Sequence, residues 1–267
     1  MKDYLPLIEK ALDAYSGSFD LPKLFSESMR YSLLSGGKRV RACLCLACCE
    51  LMGGSTDDAL PFAAALEMIH AYSLIHDDLP AMDNDDMRRG KLSSHKAFGE
   101  GNAILAGDGL LTMAMRLLCD VPGQEEAKKA VFQGAMDMAA GQSLDLNVAA
   151  RDMASLHRIH DLKTGALFRA ACLSGALAAG CGAEEAQVIR TFADKLGLLF
   201  QMTDDLLDRE KDEAENKLTY VTLLGVEQTK REIEALAKDI RGILGRYTGD
   251  AASYLLELTD RIAVRRS

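Results

Sequence analysis

The stretch Leu74–Lys91 reads LIHDDLPAMDNDDMRRGK and places five aspartates between an apolar helical run and a pair of arginines. Two unit charges ~4 Å apart repel each other by about 4 kcal/mol at an effective dielectric constant near 20. A helical protein that gathers carboxylates in this way needs cations to hold them together. The sequence therefore predicts a charged functional site at the end of a helix.

A second acidic cluster, DDLLD at Asp204–Asp208, follows the apolar run LGLLFQMT. Asp204 and Asp208 lie about 40° apart on one face of an ideal helix. Asp83, in contrast, would lie about 240° from Asp77 on an unbroken helix, so we predict that Pro80 distorts the chain and brings Asp83 round. Two such clusters predict the facing halves of one magnesium site, because Mg²⁺ prefers oxygen ligands and bridges to phosphates. A solvated acidic rim is the alternative for either cluster alone.

The segment DNDDMRRG does not fit a calcium loop of the EF-hand type. Met87 occupies a ligand position, the glycine comes too late and no glutamate closes the loop. We therefore predict that Asp85 and Asp86 are solvated or cap a helix and are not metal ligands.

Basic residues recur beside the acidic clusters. GGKRVR supplies Lys38 and Arg41 on one helix face after a Gly-Gly break, and Arg88, Arg89 and Lys163 follow later in the chain. GGKRVR is not a Walker loop, since an arginine follows the lysine and the upstream glycine is missing. Lysine, arginine and a helix N-terminus nevertheless suit a phosphate group.

Composition predicts an all-α chain folded as one domain over residues 1–267. Good helix formers dominate, only five residues are proline, and there is no tryptophan among the 267 residues. The net charge of -9 argues against non-specific nucleic-acid binding. We found no apolar run near the roughly 20 residues that span a bilayer and no signal-peptide core, so we expect no integral membrane segment and a cytoplasmic location.

Four of the seven cysteines crowd into CLCLACC, at Cys43, Cys45, Cys48 and Cys49. A zinc site needs a second cysteine pair or partner histidines, and none follows. We therefore predict buried apolar cysteines.

Helical periodicity predicts a bundle of near-equal helices joined by short connections, with DDALPFAAALEMIHAYSLIHDDL as the central helix.

Four motifs together resemble, in order and spacing, those of the trans-isoprenyl diphosphate synthases, above all the bacterial farnesyl and geranyl(geranyl) diphosphate synthases. They are GGKRVR, HDDLPAMDNDDMRRG, HDLKTGALFRAA and FQMTDDLLD. The resemblance covers essentially the whole chain. It implies an all-α, single-domain bundle of the isoprenoid synthase type around a deep central cavity, usually as a homodimer. It also implies a head-to-tail (1'-4) condensation of isopentenyl diphosphate with dimethylallyl or geranyl diphosphate.

The resemblance also implies roles for individual residues. Mg²⁺, about three ions per site and replaceable by Mn²⁺, would be held by Asp77, Asp83 and Asp204, with Asp78, Asp205 and Asp208 as ligands or support. The allylic diphosphate would contact Arg88, Lys163, Gln201 and Lys217, and oxygens near Lys163, Thr164 and Gln201 would stabilise the allylic cation. Isopentenyl diphosphate would bind Lys38, Arg41, His70 and Arg89.

This sequence departs from the family pattern at two places. Ala42 stands where the family usually has proline, which we expect to be tolerated. The family also carries a longer loop after the second aspartate motif, with a lysine that contacts diphosphate, whereas here Asp208 runs directly into Arg209. Either the loop is shortened or a flexible stretch is missing from the sequence, and the pattern of a mobile active-site lid favours the second interpretation.

The prenyl chain is expected to grow along the central helix away from the aspartates. Tyr72 and Ser73 lie about one turn, or roughly 5.4 Å, below Asp77, and the resemblance associates a tyrosine there with farnesyl diphosphate as the main product. Plain core packing of Tyr72 is compatible with this role. The alternatives are a geranylgeranyl or geranyl diphosphate synthase, a catalytically impaired regulatory subunit, and a terpene cyclase, against which the second cationic site argues.

Overall fold

The computed structural model describes residues 3–147, 150, 152–214 and 217–265. The described residues form an all-α bundle, as predicted. Its helices are α1 (Leu5–Gly17), α2 (Lys23–Leu33), α3 (Val40–Leu51), α4 (Thr56–Asp77), α5 (Ser94–Phe98), α6 (Glu100–Cys119), α7 (Glu125–Asn147), α8 (Met153–His160), α9 (Ala166–Ala178), α10 (Ala183–Leu207), α11 (Arg209–Ala214), α12 (Tyr220–Leu224), α13 (Val226–Leu244) and α14 (Asp250–Ala263).

Helix α4 is the central element of the bundle. It begins at a capping box in which Ser55 and Asp58 exchange hydrogen bonds between side chain and backbone. Helices α3, α6 and α9 pack around it, so that apolar residues on nearly every side of α4 are buried. The burial of α4 on nearly all sides confirms the prediction that it is the central helix of the bundle.

The cysteine-rich helix α3 is part of the core. Cys45, Cys48 and Cys49 are fully buried and Cys43 is 4% exposed, and all four are free thiols. Their sulfurs lie beside local polar groups: that of Cys49, for example, donates to the carbonyl of Ser55 at 3.2 Å. The interpretation of these residues as small apolar core residues is therefore confirmed.

Two features of the fold were not predicted. A short antiparallel hairpin, β1 (Met87–Arg88) and β2 (Lys91–Leu92), follows the first acidic cluster and pairs Met87 with Leu92. A π-helical turn at Asp161–Gly165 also lies between α8 and α9. Such turns are rare and often lie at functional sites.

Helix α6 requires a correction to the expectation about membrane segments. Over its 20 residues, Glu100–Cys119, it is long and apolar enough to cross a membrane by length and composition, alone among the helices in the described ranges. The core helix of a soluble protein can have the same character. Here α6 packs along α4 and α2, and Ala106, Leu110 and Ala114 are buried in that contact.

Candidate active site

The first acidic cluster lies where α4 ends. Asp77 is the last helical residue, and the chain then turns so that the backbone N–H of Asp83 donates to the carbonyl of Asp77 at 2.8 Å. Asn84, with φ of 53°, completes the turn by donating to the carbonyl of Leu79 at 3.1 Å. Asp83 is thus brought beside Asp77, as predicted. The cause differs, because the helix stops at Asp77 and Pro80 lies beyond it instead of bending it.

The other aspartates of this stretch contact basic side chains. Asp78 is 2% exposed, and its carboxylate accepts hydrogen bonds from both Nε and Nη2 of Arg88. Asp85 accepts from the same guanidinium at 3.3 Å, and Asp86 forms an exposed ion pair with Lys96 at 2.9 Å. Asp85 and Asp86 therefore form ion pairs at the surface, which is compatible with the expectation that they are solvated, and their exclusion from the metal site stays a prediction.

The second cluster occupies the C-terminal end of α10. Asp204 is half-buried and forms an ion pair with Arg265 at 2.7 Å, and Asp208 is exposed at the end of the helix. Asp205 is 4% exposed and accepts hydrogen bonds from the Gln201 amide at 2.9 Å and the Tyr220 backbone N–H at 2.8 Å. Asp205 therefore ties α12 to α10.

Burial raises the pKa of at least one carboxylate in each cluster. It raises the pKa of Asp77 to about 6, the neighbouring carboxylate of Asp83 adds to the rise, and Lys163 opposes it. Burial likewise raises the pKa of Asp204 to about 6, with Asp208 adding to the rise and Arg265 opposing it. Carboxylates with pKa values raised in this way are stabilised in their ionised form by an added cation.

The π-helical turn carries Lys163 and Thr164 to the cavity. It packs closely against α7, where a Cβ on Gly141 would lie 2.2 Å from the backbone nitrogen of Lys163. The Lys163 ammonium forms an ion pair with Asp145 at 2.6 Å, and the Thr164 hydroxyl donates to the Gln201 amide oxygen at 3.0 Å. Thr164, Gln201 and Asp205 thus form one hydrogen-bonded chain between η1 (Asp161–Gly165) and α10.

A cavity of about 330 Å³ lies between α4, α7 and η1. Predicted residues that line it are Arg41, His70, Tyr72, Ser73, Asp77, Lys163 and Thr164, and Met138 and Gln142 form the opposite wall. Among the described residues, the buried Nε of Arg41 and Oε1 of Gln142 have no hydrogen-bond partner. An unpartnered guanidinium nitrogen in an open cavity suits an anionic ligand.

The second cationic group forms around the Gly-Gly loop. Arg89 donates to the carbonyl of Gly36, and a Cβ on Gly37, whose φ is 130°, would lie 2.9 Å from the Arg89 guanidinium. Burial and the guanidinium groups of Arg41 and Arg89 lower the pKa of His70 well below its usual value. His70 is therefore neutral between two arginines. Lys38 is exposed, and its charge lowers the pKa of Asp204.

Lys217 is exposed, and its backbone N–H donates to the Asp212 carbonyl at 2.9 Å. Its charge opposes the burial that raises the pKa of Asp205. The predicted contact of Lys217 with the allylic diphosphate stays a prediction. The chain passes directly from Asp208 into α11, and the full sequence of 267 residues contains no further residues between them. The connection is therefore short in this sequence, and the interpretation that a flexible stretch is missing stays a prediction.

The donor set tests whether magnesium fits. Among the described residues, no three carboxylates, imidazoles or thiolates converge on a point where they could hold an ion by themselves. Asp83 and Asp208 are exposed and Asp77 and Asp204 are half-buried. This arrangement fits Mg²⁺, which is commonly bound through one or two carboxylates together with substrate phosphates.

Sequence reasoning missed three residues of the site. Asp145 binds Lys163, Arg265 binds Asp204, and Gln142 lines the cavity. Asp145 and Gln142 belong to GQSLDL on α7, which lies outside the four motifs that pointed to the site. No local signal pointed to Arg265, because its contact with Asp204 spans 61 residues.

Comparison with known proteins gives a consistent result. The polyprenyl synthetase family matches residues 22–242. The heterodimeric geranylgeranyl pyrophosphate synthase large subunit 1 of Arabidopsis thaliana is 42% identical, over 98% of this chain and 77% of that protein. The farnesyl diphosphate synthase of Bacillus subtilis is 37% identical, over 99% of this chain and 97% of that protein. An FPP/GFPP synthase structure from Zymomonas mobilis has a TM-score of 0.88 at 33% identity, covering 97% of each chain.

The alignment with the Bacillus protein spans 287 positions, more than the 267 residues of this chain. That relative therefore has residues that this chain lacks.

Proposed function

This chain belongs to the polyprenyl synthetase family and is an enzyme that transfers prenyl groups, and from that premise we propose that it condenses isopentenyl diphosphate with an allylic diphosphate. The proposed main product is farnesyl diphosphate, formed from dimethylallyl or geranyl diphosphate with release of inorganic diphosphate. The observation that carries the proposal is the pairing of two acidic helix ends with a separate cationic group at the Gly-Gly loop. One region suits a metal-bound diphosphate and the other a diphosphate bound by arginine and lysine.

The allylic diphosphate is proposed to bind between the acidic clusters. Mg²⁺, held by Asp77, Asp83, Asp204 and Asp208, would neutralise the diphosphate and favour its departure. Lys163 lines the same cavity as Asp77, and its charge lowers the pKa of that carboxylate. Arg88 is positioned by Asp78, and Asp205 holds Gln201. These two buried aspartates support the residues that touch the substrate.

Ionisation breaks the C1–O bond of the allylic substrate, and the electron pair leaves with the diphosphate. The resulting cation is proposed to lie near Thr164. Because the Thr164 hydroxyl donates its proton to Gln201, its oxygen lone pairs remain available to the positive charge. The hydrogen-bonded chain from Thr164 through Gln201 to Asp205 fixes these dipoles before the reaction starts.

Isopentenyl diphosphate is proposed to bind Lys38, Arg41, His70 and Arg89. Neutral His70 can donate a hydrogen bond to the diphosphate without adding charge. The double bond of isopentenyl diphosphate attacks C1 of the cation through its C4, forming the new C–C bond. A proton then leaves C2 of that unit to the released diphosphate, which restores a double bond. No nucleophilic side chain is required.

Tyr72 supports a fifteen-carbon product, because its ring lines the cavity one turn below Asp77. Relatives named geranylgeranyl pyrophosphate synthases, at 41–42% identity, favour a twenty-carbon product as the second candidate.

For assembly we propose a homodimer. Exposed apolar side chains on α6 and α7, among them Ile104, Leu105 and Met136, support a covered face there. A cytoplasmic location remains part of the proposal.

The test is an assay of the purified chain with isopentenyl diphosphate and, separately, dimethylallyl, geranyl or farnesyl diphosphate, with Mg²⁺, with Mn²⁺ and with EDTA. We expect metal-dependent condensation and a fifteen-carbon main product. Turnover of an allylic diphosphate without isopentenyl diphosphate would indicate a cyclase. Failure to condense under every condition would reject the proposal and favour a regulatory subunit.

A further inference from the structure

The aromatic ring of Tyr72 is held by a neighbour on its own helix. The rings of Tyr72 and His76, one turn apart on α4, meet edge to face with centroids 5.6 Å apart and planes at 82°. Both residues line the cavity below Asp77. Within the described residues, the Tyr72 hydroxyl makes no hydrogen bond, so its orientation depends on ring packing and on His76 in particular.

His76 is in turn fixed to a second helix. Its Nε2 lies 3.0 Å from the carbonyl oxygen of Ile104 on α6, so the tautomer with hydrogen on Nε2 donates there. The carboxylate of Asp108 lies 4.0 Å from the same nitrogen. The imidazole thus links α4 to α6.

Gly107 makes room for this imidazole. A Cβ at Gly107 would lie 2.2 Å from Nε2 of His76 and within 2.5–2.9 Å of two ring carbons. Those distances are shorter than any real contact. The His76 ring can therefore pack against α6 only because residue 107 has no side chain.

We propose that His76 and Gly107 determine product chain length by fixing the Tyr72 ring across the path of the growing prenyl chain. This inference rests on the proposed function. It extends that function from Tyr72, which limits the length of the product, to His76 and Gly107, which position the Tyr72 ring. Loss of the His76 ring leaves Tyr72 free to rotate away and opens the cavity. Edge-to-face aromatic pairs bias a conformational equilibrium by roughly two- to tenfold.

The first test measures product length in His76→Ala and Gly107→Ala. We expect the ratio of twenty- to fifteen-carbon product to rise by roughly two- to tenfold in both. Gly101→Ala is the matched control on α6, since a Cβ there meets nothing within 4 Å, and His157→Ala controls for loss of an exposed histidine. Both controls should keep the ratio of the unaltered chain.

A double-mutant cycle separates positioning from a direct effect. Because His76 acts through Tyr72, His76→Ala should leave the ratio unchanged when Tyr72→Ala is already present. An equal change in both backgrounds, or no change in either, would overturn the proposal. If the unaltered chain makes no prenyl product at all, the proposed function fails, and the positioning claim is decided by spectroscopy.

That measurement places 3-fluorotyrosine at position 72 and records its ¹⁹F spectrum without substrate. His76→Ala and Gly107→Ala should each shift and narrow the resonance as the ring gains freedom, while Gly101→Ala should not. An unchanged spectrum in His76→Ala would refute the positioning role independently of catalysis.

Discussion

Asp83 donates its backbone N–H to the carbonyl of Asp77 at 2.8 Å, although the two residues are six positions apart along the chain. This hydrogen bond presents both carboxylates from the same end of α4. Asp85, only two residues further on, instead faces the Arg88 guanidinium. The turn after α4 therefore places Asp83 beside Asp77, whereas Asp85 pairs with Arg88.

We predict that Asp83→Asn lowers turnover by on the order of 10²–10³-fold, because it removes a charge from a proposed metal clamp. The Mg²⁺ concentration for half-maximal rate should rise as well. Asp85→Asn, the matched control, only weakens an ion pair with Arg88 and should change turnover by less than about threefold. Equal losses in the two variants, measured by steady-state kinetics across a Mg²⁺ series, would contradict this division of roles.

A second prediction concerns the pH dependence of stability. The folded pKa values of Asp77 and Asp204 are raised to about 6 by burial, above the usual unfolded value of ~3.9. Their contribution to stability is therefore fully present below about pH 4 and is lost as the pH rises through 6. In EDTA, Asp77→Asn should be more stable than the unaltered chain at pH 7.5, and this advantage should be about half as large at pH 5.

Urea unfolding at the two pH values measures this difference. Burial lowers the pKa of His70 well below its usual value and that of His160 to about 4. These two histidines make the folded state more stable as the pH rises, which is opposite to the effect of the aspartates. The variant must therefore be compared with its parent at each pH. Saturating Mg²⁺ with a diphosphate should reverse the order at pH 7.5. A parent chain that is more stable than Asp77→Asn in EDTA at pH 7.5 would refute the argument.

The sequence was sufficient to predict α4 and α10, because long apolar periodic runs ending in aspartates carry a local signal for both helix and site. It did not predict that Asp205 is buried against α12, since that contact involves the backbone of Tyr220, fifteen residues away. The π-helical turn and the Lys163–Asp145 pair were also missed. Both depend on the packing of η1 against α7. The sequence of either segment by itself does not reveal that contact.

A third prediction follows from that burial. Asp205→Ala leaves the Tyr220 N–H and the Gln201 amide without their acceptor and should reduce the free energy of unfolding by about 1–3 kcal/mol. Asp208→Ala, an exposed aspartate on the same helix end, should change it by less than about 0.5 kcal/mol. Urea titrations in EDTA keep metal binding out of the comparison. Similar losses for both variants would mean that Asp205 does not anchor α12.

The last prediction concerns Ala42, where the family usually has proline. The backbone N–H of Ala42 donates at 3.2 Å to the carboxylate of Glu67, which is 2% exposed and also contacts Arg39 at 3.4 Å. Proline fits the first turn of a helix in general but has no N–H to donate. Ala42→Pro should therefore destabilise this chain by about 1–3 kcal/mol, even though it restores the family residue.

Removing the acceptor tests the cause of that loss. In a Glu67→Met background there is no carboxylate to satisfy, so adding Ala42→Pro should cost much less, and the two changes should couple in a double-mutant cycle of unfolding free energies. The same cost in both backgrounds would indicate steric strain in α3 instead of a lost hydrogen bond. A variant Ala42→Pro as stable as its parent would show that Glu67 finds another donor, since a buried carboxylate left one partner short cannot be neutral in free energy.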